Sequence, residues 1–308
     1  MKKQYFIGID GGGTHSRLVA IDKEMNVLGM HSCGATNITS EPFENVYANI
    51  KNLLHEFNIQ TNTSLEDCQA ICIGTAGAKT SDNAAITADI FRKLGFTGHL
   101  TVMNDAELVL AAETKGEPGA AIIAGTGSVG FALDHNGAIL RTGGWGHLID
   151  DGGSGYRIGM DAIKAALMDF DGRKKKTILT RMIASHFEIE QIDQVLSYIY
   201  SESFNKSKIA EIAMLVSKAS SEGDSIAQAI ELDAANNLIS LAKVLIQKAK
   251  LSTHKIVLSG SIIIHNQKIR TKFCRDIQAM FPEMQIVNAS AKPEMGAAYL
   301  ALKSAGGF

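Results

Sequence analysis

The sequence is short of several things. Of 308 residues, four are cysteine, four are proline and one is tryptophan. Cys33, Cys68, Cys72 and Cys274 contain no C-x-x-C pair, so no zinc, disulfide or cluster framework is expected. Cys72 lies in the apolar run 70–74 and reads as a buried thiol. The formal net charge is only -2, which gives no reason to expect nucleic acid or an anionic membrane as a partner. The first apolar run, residues 5–9, is too short for a signal peptide or a membrane span, so the expectation is a cytoplasmic protein. With 45% hydrophobic and 20% charged residues the chain reads as ordinary globular protein, long enough for two medium domains around a cleft.

What the chain does have is glycine, 29 in all, gathered in a few loops, and an internal repeat. Residues 5–9 predict a strand running into Asp10-Gly11-Gly12-Gly13-Thr14. A strand over 16–21, a polar turn at 22–26 and a strand over 27–31 follow, ending at Gly34. From Gly119 the pattern recurs: strand 120–124, the loop Gly125-Thr126-Gly127-Ser128, strand 129–133, turn 134–137, strand 138–142, then Gly143-Gly144. Each half continues as helix and strand in alternation. The first half has 43–57, 70–74, 82–94, 99–103 and 106–113; the second has 154–168, 255–258, 267–280, 284–287 and 293–303. Residues 177–250 have no counterpart in the first half. They read as an amphipathic helical insertion, expected to pack on its own lobe and to offer a homodimer contact. The expected fold is α/β, with two mixed sheets in two lobes, 1–115 and 116–308, and a cleft between them.

The two loops suit a polyphosphate. Glycines in a turn permit positive φ and close backbone approach, so that N–H groups converge on an anion. Thr14 adds a hydroxyl, and Asp10, ending the first strand, can hold Mg²⁺ through water. Neither loop follows the spacing of a P-loop or a strand-to-helix dinucleotide turn. A third small-residue turn, Ser259-Gly260-Ser261, ends an apolar strand and leaves room for a flat ring. Asp105 ends strand 99–103 and can serve either as a general base or as the cap of the next helix. Trp145, between glycines, offers an indole face to a sugar ring or to a core. His147 reads as structural, and Arg173-Lys174-Lys175-Lys176 as a solvated loop.

These three motifs resemble the first phosphate, second phosphate and adenosine motifs of the actin/hexokinase/Hsp70 superfamily, whose lobes are ribonuclease H-like. Gly143-Gly144-Trp145-Gly146-His147-Leu148, followed by Asp151-Gly152-Gly153-Ser154-Gly155-Tyr156, resembles the N-acetylglucosamine kinase branch of the BadF/BadG/BcrA/BcrD ATPase family. The resemblance implies an ATP- and Mg²⁺-dependent kinase for an amino sugar, N-acetylglucosamine to its 6-phosphate first, with N-acetylmuramic acid or glucosamine as alternatives. It implies nucleotide contacts from Gly12, Gly13, Thr14, Gly125, Thr126, Gly127, Ser128, Ser259, Gly260 and Ser261, with Asp105 as base. The sugar would meet Thr36, Asn37, Asp105, Gly144, Trp145 and Asp151. One departure stands out: that branch usually carries Asp-Glu-Gly-Ser where this chain has Asp151-Gly152-Gly153-Ser154, which alters contacts around the sugar substituents. A dehydratase activator of the same superfamily would need cluster-holding cysteines near the lobe junction, and none lies between Cys72 and Cys274. A sugar-responsive repressor would need a helix-turn-helix ahead of the first strand, which begins by Tyr5.

Overall fold

Strand β1 (Tyr5–Gly11) is buried along nearly its whole length. It is a mid-sheet strand, which is why it reads as a continuous apolar run and not as an alternation. It pairs antiparallel with β2 (His15–Ile21) and parallel with β4 (Cys68–Thr75). With β3 (Val27–Gly34) and β5 (His99–Met103) these form one sheet, in the order β3-β2-β1-β4-β5. The computed structural model describes residues 4–75, 78 and 81–306. Helix α1 (Phe43–Thr61) buries Val46, Ile50, Leu53, Leu54 and Phe57, one stripe at helical spacing, and stops at Asn62 in the left-handed region. Helices α2 (Ser81–Lys93) and α3 (Asp105–Thr114) follow β4 and β5.

The second sheet repeats the first. Strands β6 (Gly119–Ala124), β7 (Ser128–Leu133), β8 (Ile139–Gly143), β9 (Lys255–Ser259) and β10 (Gln285–Asn288) lie in the order β10-β9-β6-β7-β8, the same topology. The repetition reaches single hydrogen bonds. Asp22 Oδ1 accepts from the amides of Glu24 and Asn26, and Asp134 Oδ1 accepts from those of Asn136 and Ala138. An aspartate at this position mimics a backbone turn and closes the second hairpin of each sheet.

Helix α4 (Gly155–Phe170) leads into the insertion, which holds α5 (Leu179–His186), α6 (Val195–Ile199), α7 (Lys206–Ser221) and α8 (Ser225–Lys248). The insertion shares one apolar core with the second sheet. Helix α7 packs on α4, and α8 crosses β6 and β7. A Cβ on Gly130 of β7 would stand 2.5 Å from Leu245 Cδ1, so the glycine makes room for α8. Helices α9 (Ser261–His265), α10 (Gln267–Met280) and α11 (Pro293–Ser304) complete the chain.

The chain divides into Met1–Pro118 with Ala289–Phe308, and Gly119–Asn288. This corrects the expected boundary of 1–115 and 116–308, since the last helix joins the first unit. The reason is steric. A Cβ on Gly8 of β1 would overlap Ala298 N and Glu294 O of α11, and a Cβ on Gly296 would overlap Leu108 O of α3. Without Cβ atoms at those points, α11 lies directly on β1 and α3.

Candidate active site

In the first unit the loop after β1 turns between Gly11 and Ser16, which are register partners. Gly11, Gly12 and Gly13 all keep negative φ, as do Gly125 and Gly127, against the expectation of positive φ. At Gly11 and Gly12 the need for glycine is one of space. A Cβ on Gly12 would overlap the His15 carbonyl, and one on Gly11 would stand 2.8 Å from Thr36 Oγ1. Gly13 and Thr14 are exposed at the loop tip. Thr36 is fully buried, its Oγ1 2.7 Å from Ser16 Oγ and its amide donating to Gly12 O. It ties the 34–37 loop to the 11–14 loop, and its hydroxyl is engaged within the protein. Asn37 Oδ1 accepts from the Thr39 amide at 2.9 Å and the Thr39 hydroxyl at 2.7 Å. Its Nδ2 has no partner among the described residues, so a donor stays available.

Asp105 is half-buried at the first position of α3. The cap of that helix is Asn104, whose side chain accepts from Ala106 N, while Glu107 reaches back to Asn104 N. The capping alternative for Asp105 therefore passes to its neighbour. Among the described residues its Oδ1 accepts only from the adjacent Ala106 amide, at 2.8 Å. Gly74, at the end of β4, lets this turn come close: a Cβ there would stand 3.2 Å from Asp105 Cα. Burial, then the charges of Glu294 and Asp105, push the Asp10 carboxyl above its usual range, and Arg17 opposes them. Two buried groups in this unit escaped the sequence reading. Among the described residues Thr75 Oγ1, in the residue paired with Gly11, has no hydrogen-bond partner, and neither does either oxygen of Glu294. No short motif marks them; only burial in three dimensions does.

In the second unit Gly125 N donates to Gly127 O, and Gly155 N donates to Gly125 O at 2.7 Å. The 125–128 loop is thereby tied to the start of α4. Gly260 has φ 94°, and a Cβ on it would overlap Ala124 O, so the Ser259-Gly260-Ser261 turn lies against the loop. A cavity of about 910 Å³ opens there, lined by Gly125, Thr126, Gly155, Ser261, Ile262 and residues of α7 such as Met214. The insertion thus supplies one wall of a ligand-sized space. That could not be read from a segment without a repeat partner.

Asp151 is buried, with the left-handed φ of 66° that a non-glycine residue adopts only under constraint. Its carboxyl is raised by burial and by Asp150, while the Ser128 amide, Lys206 and His147 pull it down. It also stands 3.0 Å from where a Gly127 Cβ would be, beside the second loop. Ser128 Oγ donates to Gly152 O. Trp145 is 68% exposed, which removes the core alternative, and Arg141 lies 4.7 Å over its ring. Arg141 also donates to the carbonyls of Gly143 and Gly144, both at positive φ. Leu148 and Ile149 are exposed beside Trp145. His147 packs edge-on against Tyr156, as a structural residue would. Gly152 has a local cause: a Cβ there would stand 2.6 Å from Asn237 Oδ1, so α8 occupies the space a larger side chain would need.

Comparison with known proteins gives the chain its relatives. The profile of the BadF/BadG/BcrA/BcrD ATPase family matches residues 7–301. An N-acetylmuramic acid/N-acetylglucosamine kinase from Clostridium acetobutylicum is 35% identical over 300 residues, covering 97% of this chain and 98% of that one. An N-acetyl-D-glucosamine kinase from Dictyostelium discoideum is 30% identical over 317 residues, covering 99% of each. The structure of a candidate N-acetylglucosamine kinase from Chromobacterium violaceum superposes with a TM-score of 0.68 at 24% identity, covering 97% of this chain and 99% of that one. At that identity the last match speaks for the fold, which is the duplicated α/β architecture expected.

Proposed function

The chain belongs to the BadF/BadG/BcrA/BcrD ATPase family, and from that premise we propose that it transfers the γ-phosphoryl group of ATP to a hydroxyl of an amino sugar, N-acetylglucosamine first. The observation that carries this reading is the cavity in the second unit, bounded by both the second glycine loop and the Ser259-Gly260-Ser261 turn. It has the size and the lining for a nucleoside beside a phosphate-binding loop.

Phosphoryl transfer asks a protein for positioning and charge neutralisation more than for covalent chemistry. On this reading Gly12, Gly13, Thr14, Gly125, Thr126, Gly127 and Ser128 receive the phosphates, and Ser259, Gly260 and Ser261 the adenosine. Asp105 accepts the proton of the sugar hydroxyl and orients its oxygen, a role suited to a carboxylate whose one contact among the described residues is the adjacent Ala106 amide. The free Nδ2 of Asn37 donates to a sugar oxygen. Trp145, Gly144 and Asp151 also contact the sugar on this reading, with the indole against its ring. Magnesium bound with the nucleotide would offset the charge of the phosphates. Asp10, near the end of β1 beside the first glycine loop, fits as its anchor, since Mg²⁺ keeps its waters and needs only one or two carboxylates.

N-Acetylmuramic acid is the second reading. The Arg141 guanidinium over Trp145 would place a cation where a sugar ether carboxylate could pair with it. A coupled ADP-release assay with N-acetylglucosamine, N-acetylmuramic acid and glucosamine decides among the three. Sugar-dependent ADP release is expected with at least one of them, and its absence with all three refutes the kinase reading.

A further inference from the structure

The cavity of the second unit has a far end that the glycine loops do not account for. Its near end is fixed at Gly125 and Gly155: a Cβ on Gly155 would stand 3.1 Å from Ala210 Cβ of α7 and 3.2 Å from Gly125 O. From Ala210 the lining follows one side of α7 through Met214 and Lys218 to Ser221. At about 1.5 Å of rise per residue, Ser221 stands roughly 16 Å along the helix from Ala210. A phosphate held at the loop therefore leaves the nucleoside to lie along α7, with its base toward the end of that helix.

That end is closed by a hydrogen-bonded group drawn from three helices. Glu231 of α8 is 2% exposed. Its Oε2 accepts from Ser220 Oγ of α7, and its Oε1 accepts from Asn266 Nδ2 at 2.6 Å. Lys268, at the second position of α10, donates from Nζ to Ser220 O at 2.8 Å and to Ser220 Oγ at 2.6 Å. Asn266 and Lys268 line the cavity, while Ser220 and Glu231 are buried behind them. The lysine is not there for its own helix, because a cation in the first turn opposes the helix dipole. Nor is it an ordinary exposed lysine, which keeps its rotamer freedom. An ammonium has three N–H donors. Two are engaged at Ser220, and the third has no partner among the described residues.

We propose that Lys268 contacts the base of the bound nucleotide, its remaining N–H donating to a ring-nitrogen or carbonyl acceptor, and that Glu231 is the positioning residue that holds it there. Glu231 acts through Ser220: its carboxylate takes the hydroxyl proton and leaves the oxygen lone pairs to Lys268. The proposal rests on the kinase reading, which puts ATP in this cavity.

The test titrates Mg-ADP into wild type, Lys268→Met, Glu231→Gln and the double variant by calorimetry. A hydrogen bond from a charged donor is worth about tenfold or more in affinity, so each single variant should bind Mg-ADP about tenfold more weakly. The double variant should bind no more weakly than the worse single one, because Glu231 acts through Lys268. In sugar phosphorylation KM for ATP should rise by the same factor, with kcat and sugar KM within twofold. Mg-ADP affinity of Lys268→Met within twofold of wild type overturns the proposal. So do losses that multiply in the double variant, which mark Glu231 as a structural acid only. Should Glu231→Gln fail to fold, Ser220→Ala breaks the same link and takes its place with the same expectations. Wild-type protein that binds Mg-ADP, with these losses in the variants, but phosphorylates none of the three sugars refutes the kinase reading instead, so the two failures are distinguishable.

Discussion

Replacing Asp105 by Asn separates chemistry from folding more cleanly than any other single change in this chain. Asn104 caps α3 and Glu107 completes the capping box, so the substitution leaves the helix start in place. Asparagine retains an oxygen for the Ala106 amide, which Asp105 Oδ1 now receives at 2.8 Å. The loss is one negative charge in the first turn, about 0.3–1 kcal/mol of helix-dipole stabilisation, partly returned by relieving Asp10 of a like charge. The effect on turnover should be far larger. A general base contributes roughly 10²–10⁴-fold, which at about 1.4 kcal/mol per decade is about 3–5.5 kcal/mol of barrier. Measured by coupled ADP release at saturating sugar and ATP, kcat should fall by that factor, with little change in KM for ATP. Asn104→Ala is the mirror control. It removes the cap, costs about 1 kcal/mol of stability, and should leave kcat within a few-fold. If Asp105→Asn turns over at a third of the wild-type rate or better while melting several degrees lower, Asp105 is not the base.

Other substitutions test the remaining parts. Asn37→Asp keeps the oxygen that Thr39 uses but removes the Nδ2 donor; sugar KM should rise roughly 3–10-fold, the worth of one neutral hydrogen bond, with ATP KM unmoved in initial-rate kinetics. Gly8→Ala would drive a methyl into the α11 backbone, so urea denaturation should show a loss of about 1–3 kcal/mol or more. Asp224 is pushed up by burial but held below its usual range by the amides of Ala227 and Ile178, the Thr177 hydroxyl and the Ile226 amide. Its stabilisation is complete above the ordinary carboxylate value near 4 and is lost as pH falls through the lowered folded value. Asp224→Ala should therefore melt lower than wild type at pH 7, and the gap should close only below about pH 4.

The duplicated framework was legible because strand periodicity and turn chemistry are local. Both meanders, both loops and both aspartate turns follow from neighbours in sequence. What was not legible depends on contacts remote in the chain. The last helix was assigned to the wrong unit because Gly8 and Gly296 disclose their partners only when α11 is placed on β1 and α3. The glycines of the 10–14 and 125–128 loops do not adopt the positive φ expected of them, since a turn sequence does not say whether space or φ demands glycine. The hydrogen bond between the Thr36 hydroxyl and Ser16, twenty residues away, is of the same kind. The α7 wall of the cavity had no signal, because an insertion has no repeat copy to reveal its purpose.

The departure at Gly152 can be argued to a definite test. A related chain with glutamate at this position would need room, and here α8 supplies Asn237 instead, its Nδ2 held by Asp233 O at 2.9 Å. The two positions exclude each other sterically: glycine at 152 and asparagine at 237 are one solution, and a long acid at 152 requires something smaller at 237. Gly152→Glu alone should cost about 1–3 kcal/mol, as overpacking does. Asn237→Ala alone should cost little, because its side chain bonds only within its own helix turn. Together they should be more stable than the sum of the single losses, with a coupling of about 0.5–3 kcal/mol, as for residues in contact. Sugar selectivity should move with the pair, since the 151–154 turn that carries Asp151 also receives the Ser128 hydroxyl through Gly152 O. Additive losses in urea denaturation, with unchanged preference among the three amino sugars, would show that Asn237 is not what keeps position 152 small.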